Sequence, residues 1–136
     1  MKNIRFKRVK SAPVKAVVAL YRDAGWWKES RRARRVIPAM IKGSDCFVIA
    51  ETKEGGIVGM GRVISDGVSD GYIQDVVIRR DFQGRGVGRE IVTRLIRHCK
   101  KRGLEWTGLV ACPRTRDFYK SLGFGELENH VAMRQM

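Results

Sequence analysis

From residue 72 the chain reads Tyr72-Ile73-Gln74-Asp75-Val76-Val77-Ile78, then Arg79-Arg80-Asp81-Phe82, then Gln83-Gly84-Arg85-Gly86-Val87-Gly88-Arg89. A run follows in which Val87, Ile91, Val92, Leu95, Ile96 and Cys99 fall on one helical face. The first segment is an apolar strand interrupted by the polar pair Gln74-Asp75, and the last is an amphipathic helix. Lys100, Lys101 and Arg102 suit the negative end of its dipole, and Gly103 suits its cap. The glycines between strand and helix allow tight backbone geometry, and backbone N–H groups at a helix start can converge on one anion. The same spacing also suits a plain strand-to-helix turn. Two familiar phosphate loops do not fit. There is no G-x-x-x-x-G-K-[ST], and the third glycine of G-x-G-x-x-G would fall where Arg89 stands.

On the N-terminal side, Ile4, Phe6 and Val9 predict a short strand. Pro13 suits a first helical turn, Val14, Val17, Val18 and Tyr21 carry the helical period, and Gly25 ends it. Val36, Ile37, Met40 and Ile41 repeat that period, with Pro38 expected to start or kink the segment. Strands are expected over 46–51 and 57–64, joined by a Gly55-Gly56 hairpin turn, with Asp66-Gly67 and Asp70-Gly71 marking the next connection. On the C-terminal side, 104–111 reads as a strand, 115–122 as a short helix stopped by Gly123, and 131–135 as a final strand. An antiparallel run followed by a strand–loop–helix–strand unit predicts an α/β (α+β) domain, a mixed sheet flanked by helices.

At 136 residues the chain is sized for a single domain spanning 1–136. No apolar run approaches the roughly 20 residues that span a bilayer. The N-terminus, with Lys2, Arg5, Lys7 and Arg8, lacks the apolar core of a secretory signal. A cytoplasmic protein without a membrane partner is expected. Cys46, Cys99 and Cys112 are widely separated and lack metal-ligand spacing, so neither a disulfide framework nor a metal site is expected. A net charge of +14 favours anionic partners such as nucleic acid or a phosphorylated cofactor. The clusters Arg31-Arg32, Arg34-Arg35, Arg79-Arg80 and Lys100-Lys101-Arg102 suit a solvated surface equally well.

The loop matches Q/R-x-x-G-x-G/A through Gln83, Gly86 and Gly88, and Phe118-Tyr119-Lys120-Ser121-Leu122-Gly123-Phe124 matches F-Y-x-x-L-G-F. In that order, with one strand between them, the two motifs resemble the GNAT superfamily of acyl-CoA N-acyltransferases. The resemblance runs from about Ile4 to Met133. The segment 72–78 is similar to the corresponding strand of small GNAT enzymes whose first helix is followed by Gly-Trp, here Gly25-Trp26.

The resemblance implies a mostly antiparallel sheet in which two parallel strands splay into a V that receives the pantetheine of acetyl-CoA. It implies cofactor contacts at Val76, Val77 and Ile78 and at Gln83, Gly84, Arg85, Gly86, Val87, Gly88 and Arg89, with the Val76 N–H on the acetyl carbonyl. Tyr119 is implied as the general acid for the CoA thiolate, with a helix-face aromatic packed on the core as its other reading. A protonated amine must lose a proton before it attacks a thioester. Asp75 is the leading candidate for a base or water anchor, with a structural carboxylate as its other reading; Asp66 and Glu51 follow. Strand alternation puts Asp75 opposite Val76. The family's asparagine before the last helix is absent from 111–116, leaving Arg114 and Arg116 as the cations there. Cys112 has no neighbouring histidine to make it a nucleophile. Trp26 and Trp27 fall where the family's first helical connection borders the acceptor, or they pack on the core. The expected activity is acetyl transfer from acetyl-CoA to a primary amine of a small molecule or peptide, without a metal. A non-catalytic CoA-binding module and a basic nucleic-acid-binding module are the rival readings, the latter disfavoured because no aromatic-rich RNA-binding signature is present. Many relatives are dimers, so a homodimer is a further expectation.

Overall fold

The computed structural model describes residues 3–136; Lys2, counted above among the N-terminal cations, lies outside them. One sheet carries its strands in chain order: β1 (Arg5–Arg8), β2 (Cys46–Thr52), β3 (Gly56–Ser65), β4 (Asp70–Ile78) and β5 (Trp106–Gly108). Neighbours are antiparallel up to β4, and β4 runs parallel to β5. Helices α1 (Val14–Asp23) and α2 (Ala33–Gly43) cover one face, and α3 (Val87–Arg102) covers the other. A short helix α4 (Arg116–Lys120) follows β5. The mixed, mostly antiparallel sheet flanked by helices is the architecture expected from the sequence. No helix among the described residues is long and apolar enough to cross a membrane.

Helical periodicity decides both layers. Val17, Val18 and Leu20 of α1 join Ile37 and Ile41 of α2 over Phe47, Ile49, Met60 and Val77. Val87, Ile91, Leu95 and Cys99 of α3 pack on Val48, Ala50, Val58, Val63 and Ile73. Burying a side chain such as Leu95 contributes about 1.5–3 kcal/mol. Covered on both faces, β2 reads as the unbroken apolar run 46–50 rather than an alternating one. The seat of α3 depends on glycines of β3. A Cβ on Gly61 would stand 2.9 Å from Ile91 Cγ2 and 3.0 Å from Leu95 Cδ1. At Gly59 it would meet Ile91 and Ile78, each at 3.0 Å.

Of the two places expected for Pro38, the start of the segment or a kink within it, the structure has it inside α2. Its ring removes one intrahelical donor, but burial of Ile37 and Ile41 on the same face keeps the segment helical. Of the strand expected over 104–111, only Trp106–Gly108 forms. The β4–β5 ladder stops at Tyr72↔Gly108, beyond which the two segments diverge. From Ile73 to Ile78, β4 therefore has β3 on one side and no strand on the other, which is the predicted V. The final strand expected over 131–135 does not form, because that segment is exposed and has no ladder partner.

Candidate active site

The floor of the V is set by a bulge in β4. Arg62 pairs with Gln74 and Met60 with Val77, so β4 carries an extra residue at 75–76. Asp75 absorbs it at φ +58°, a left-handed conformation that aspartate tolerates better than most side chains. In consequence Ile73 and Val76 both face the α3 layer, while Asp75 and Val77 face α1 and α2. Asp75 thus lies opposite Val76, as alternation predicts.

The Asp75 carboxylate is held on one oxygen. Its Oδ2 accepts from the Tyr21 hydroxyl at 2.9 Å and from Arg62 Nε at 2.9 Å. Both members of the ion pair are 14% exposed. Arg62 also reaches Ser44 Oγ at 3.4 Å. Burial, reinforced by the Asp75 charge and hydrogen bond, pushes the Tyr21 phenol well above its ordinary value. The Tyr21 ring lies 6.2 Å from that of Trp27. The Trp27 indole donates to Glu29 Oε2 at 2.9 Å, and Glu29 also receives Arg22 and Arg34. Trp27 is therefore a packing residue against the α1–α2 core, whereas Trp26 remains exposed. The weaker carboxylate candidates are engaged elsewhere. Asp66 accepts backbone N–H groups of Ser69 and Val68, which lower its carboxyl to about 2. Glu51 pairs with Lys7 at 2.7 Å.

Beyond β4 the chain turns through Arg80–Phe82 and into the glycine loop. The Gln83 side-chain amide donates to Ile78 O at 3.0 Å, fastening the loop to the strand end. Gly84 and Gly86 adopt φ +75° and +84°, conformations that a side chain would strain. None of the backbone N–H groups from Gly84 to Arg89 donates to a protein acceptor among the described residues; the first bond of α3 is Glu90 N–H to Gly86 O at 3.1 Å. Arg79 is held by both Asp81 oxygens and by Gly55 O, while Arg85 lies over the Phe82 ring at 4.9 Å. Arg89 donates to Ser121 Oγ at 2.8 Å, joining the start of α3 to the end of α4. A Cβ on Gly88 would stand 3.4 Å from Ile78 Cγ1 and 3.5 Å from Phe118 Cζ, ordinary contact distances that place the start of α3 against both.

Tyr119 lies in α4 between Phe118 and Phe124, with ring centroids 5.0 and 5.8 Å away. Burial, with a smaller contribution from Cys112, pushes its phenol up to about 12. Cys112 is exposed. Cys46 and Cys99 are buried, and burial raises both thiols. Among the described residues no group of histidines, cysteines and carboxylates could hold a metal ion. A cavity of about 580 Å³ lies beside the loop, lined in part by Thr52, Glu54, Arg79, Asp81, Phe82 and Arg85; neither Val76 nor Tyr119 borders it.

The predicted residues divide by what their side chains touch. Val77 is buried in the α1–α2 core, while Val76 and Ile78 pack against the α3 layer. Sequence reasoning missed Tyr21 and Arg62 as the partners of Asp75. A signal was present for Arg62, a single cation in the apolar run 57–64 of a strand covered on both faces. Such a residue requires a buried counter-charge.

Residues 12–124 match the acetyltransferase (GNAT) family. The chain is 34% identical over 104 residues to the uncharacterized N-acetyltransferase ycf52 of Pyropia yezoensis, covering 75% of this chain and 59% of that protein. It is 36% identical over 75 residues to serotonin N-acetyltransferase 2, chloroplastic, of Oryza sativa subsp. japonica, covering 55% of this chain and 38% of that protein. The chain thus spans little more than half the length of the first relative and less of the second. Its fold superposes on a GNAT family acetyltransferase of Streptococcus pneumoniae with a TM-score of 0.81 at 21% identity, covering 98% and 97% of the two chains. AAC(6′)-Iy in complex with the bisubstrate analogue CoA-S-monomethyl-acetylneamine gives a TM-score of 0.76 at 16% identity over 98% of both chains. The splayed sheet, the glycine loop at the head of α3 and the Phe-Tyr helix occur in the order that the matched family requires, and this chain belongs to the acetyltransferase (GNAT) family.

Proposed function

We propose that residues 1–136 act as one N-acetyltransferase unit that moves the acetyl group of acetyl-CoA to a primary amine by direct attack within a ternary complex. The carrying observation is the row of backbone N–H groups from Gly84 to Arg89, without protein acceptors, just beyond a strand whose other edge is open. Amides at a helix start suit a pyrophosphate, and an unpaired strand edge suits the amides of pantetheine. Arg85 supplies positive charge beside the loop. The CoA-based analogue bound to AAC(6′)-Iy supports the donor class.

In this reading the Val76 N–H donates to the thioester carbonyl oxygen and strengthens its bond as that oxygen becomes anionic. The amine nitrogen forms the new C–N bond, and the C–S bond breaks. Tyr119 is protonated throughout the neutral range, and its hydroxyl donates to the departing sulfur. The amine's proton leaves through a water anchored on Asp75 Oδ1, the oxygen not engaged by Tyr21 or Arg62. No metal takes part.

The test has two readouts. Acetyl-CoA should raise the melting temperature, since a ligand bound only by the native state stabilises it. Thiol release should then appear with one member of a panel of arylalkylamines, polyamines, amino acids and basic peptides. Arylalkylamines come first because of the rice serotonin N-acetyltransferase. An unchanged melting temperature refutes the donor. A raised one without thiol release from any amine supports the non-catalytic CoA-binding reading.

A further inference from the structure

The amine that loses its proton to a water on Asp75 must reach the side of β4 that faces α1 and α2, and the charges around that side restrict which amine it can be. Two contacts place the surrounding chain. Asp23, at the end of α1, accepts the Arg80 N–H at 3.0 Å, and Tyr21, two residues earlier, donates to Asp75 at 2.9 Å. The connection from α1 to α2 therefore starts beside the end of β4, on the rim of the V, and carries the exposed Trp26.

Positive charge dominates this rim. Residues 22–35 hold six lysines and arginines against two acids, Asp23 and Glu29. Both acids are engaged: Asp23 by the Arg80 amide, Glu29 by Trp27, Arg22 and Arg34. Lys28, Arg31, Arg32 and Arg35 are exposed, and among the described residues none has a carboxylate within 4.0 Å. Across the V, residues 106–116 contain no acid, and Arg114 likewise lacks a carboxylate partner. A cationic acceptor would meet like charge from both segments, with Asp75 Oδ1 left as the carboxylate oxygen to receive its ammonium. A cleft lined by one sign of charge concentrates ligands of the other.

We propose that the acceptor is a primary amine that also carries an anionic group, a carboxylate or a phosphate, and that Arg31 and Arg32 receive this group while the nitrogen reaches Asp75. These two arginines lie in the connection itself, ahead of the start of α2 at Ala33. A guanidinium presents paired N–H donors that match the oxygens of either anion. The assignment rests on the acetyltransferase reading above, and within the amine panel it ranks anionic members over arylalkylamines.

The test measures thiol release at saturating acetyl-CoA for matched amines that differ in the anion: tyramine against tyrosine, 2-aminoethanol against its phosphate ester, and a neutral C-terminally amidated peptide against one with acidic side chains. These pairs also separate carboxylate from phosphate. The anionic member of at least one pair should have the higher kcat/KM by about 10-fold or more, the size of one charge-assisted contact. Its KM should rise with added salt, while that of its partner stays level. Arg31→Gln combined with Arg32→Gln should raise the same KM about 10-fold, leaving kcat and the melting shift with acetyl-CoA in place. Lys100→Gln combined with Lys101→Gln removes equal charge at the far end of α3 and should leave KM unchanged. Equal effects from the two double variants would reduce the preference to net charge and overturn the assignment. So would thiol release without preference for the anionic member of any pair, an outcome that leaves the acetyltransferase reading standing. A melting shift with acetyl-CoA but no thiol release from any amine overturns both together.

Discussion

Replacing Asp75 with asparagine tests the network beneath the V and separates its structural role from its chemical one. Asparagine tolerates φ +58° as aspartate does, so the bulge survives. Its amide oxygen still accepts from Tyr21 and Arg62. What disappears is charge: two bonds of about 1.5–3 kcal/mol fall to about 1 kcal/mol each, and Arg62, 14% exposed, loses its counter-ion. The sum is about 1–4 kcal/mol. An unfolding entropy of about 2.1 cal/mol/K per residue over 136 residues makes each kcal/mol worth about 3.5 °C, so the melting temperature should fall by about 4–14 °C. Asp75→Ala should fall further, by about 14–20 °C, because it breaks the pair outright at about 3–5 kcal/mol and adds about 1 kcal/mol of backbone strain. Arg62→Met combined with Asp75→Asn should recover part of the loss, since no buried cation is then left alone. Thermal melts of the single and double variants close the cycle. An Asp75→Asn melting temperature within about 2 °C of the parent would refute the reasoning, as would a double variant no more stable than the sum of its parts. Turnover measured well below all the melting points is the second axis. A further loss of about 100-fold assigns Asp75 to proton removal, and unchanged turnover confines it to structure.

Tyr119→Phe should leave the fold and acetyl-CoA affinity intact and slow turnover by about 100-fold to 10,000-fold where thiolate departure limits the rate; near-parental turnover removes Tyr119 from the mechanism. Gly86→Glu places a side chain and a negative charge at a φ +84° position facing the unpaired amides, and calorimetry should find acetyl-CoA binding lost in a protein that still folds. The last case is Asp45, where burial raises the carboxyl but the bonds from His98 at 2.6 Å and Arg102 at 2.9 Å outweigh it, leaving it below the usual range. A depressed folded value means stability present above the unfolded value near 3.9 and lost as pH falls through the folded one. The melting-temperature difference between the parent and Asp45→Asn should therefore be full at about pH 7 and close below about pH 4; a difference undiminished in acid refutes the assignment.

Much of this protein was written locally. The apolar period of α3, the cap at Gly103 and the alternation of apolar runs with turn residues each act within a few residues, so they predict elements without knowledge of their neighbours. The glycine loop and the Phe-Tyr segment were legible for the same reason, and with them the family. Local rules left open whether Pro38 starts or kinks its segment; the burial of Ile37 and Ile41, which outweighs one missing donor, keeps it inside the helix. They overextended the strand expected over 104–111 and placed one over 131–135 that does not form, since an apolar alternating segment becomes a strand only when another supplies its hydrogen bonds. Here the ladder between β4 and β5 stops at Gly108, and among the described residues no strand pairs with 131–135.

The site divides along the same line. Sequence alone singled out Asp75 as a polar residue in an apolar strand, but residues 13 and 54 positions away determine what its carboxylate touches. The left-handed bulge that turns it toward Tyr21 and Arg62 follows from the register between β3 and β4. Likewise Gly59 and Gly61 read as loose spots in a strand until α3 is laid across them, where a side chain would collide with Ile91 and Leu95. Residue type and short-range spacing determined which elements form and which chemistry is on offer. Only the packing of segments distant in sequence decided which charges are paired, which backbone amides stay without a protein partner and which edges stay open, because burial and hydrogen-bond satisfaction are properties of the assembled chain.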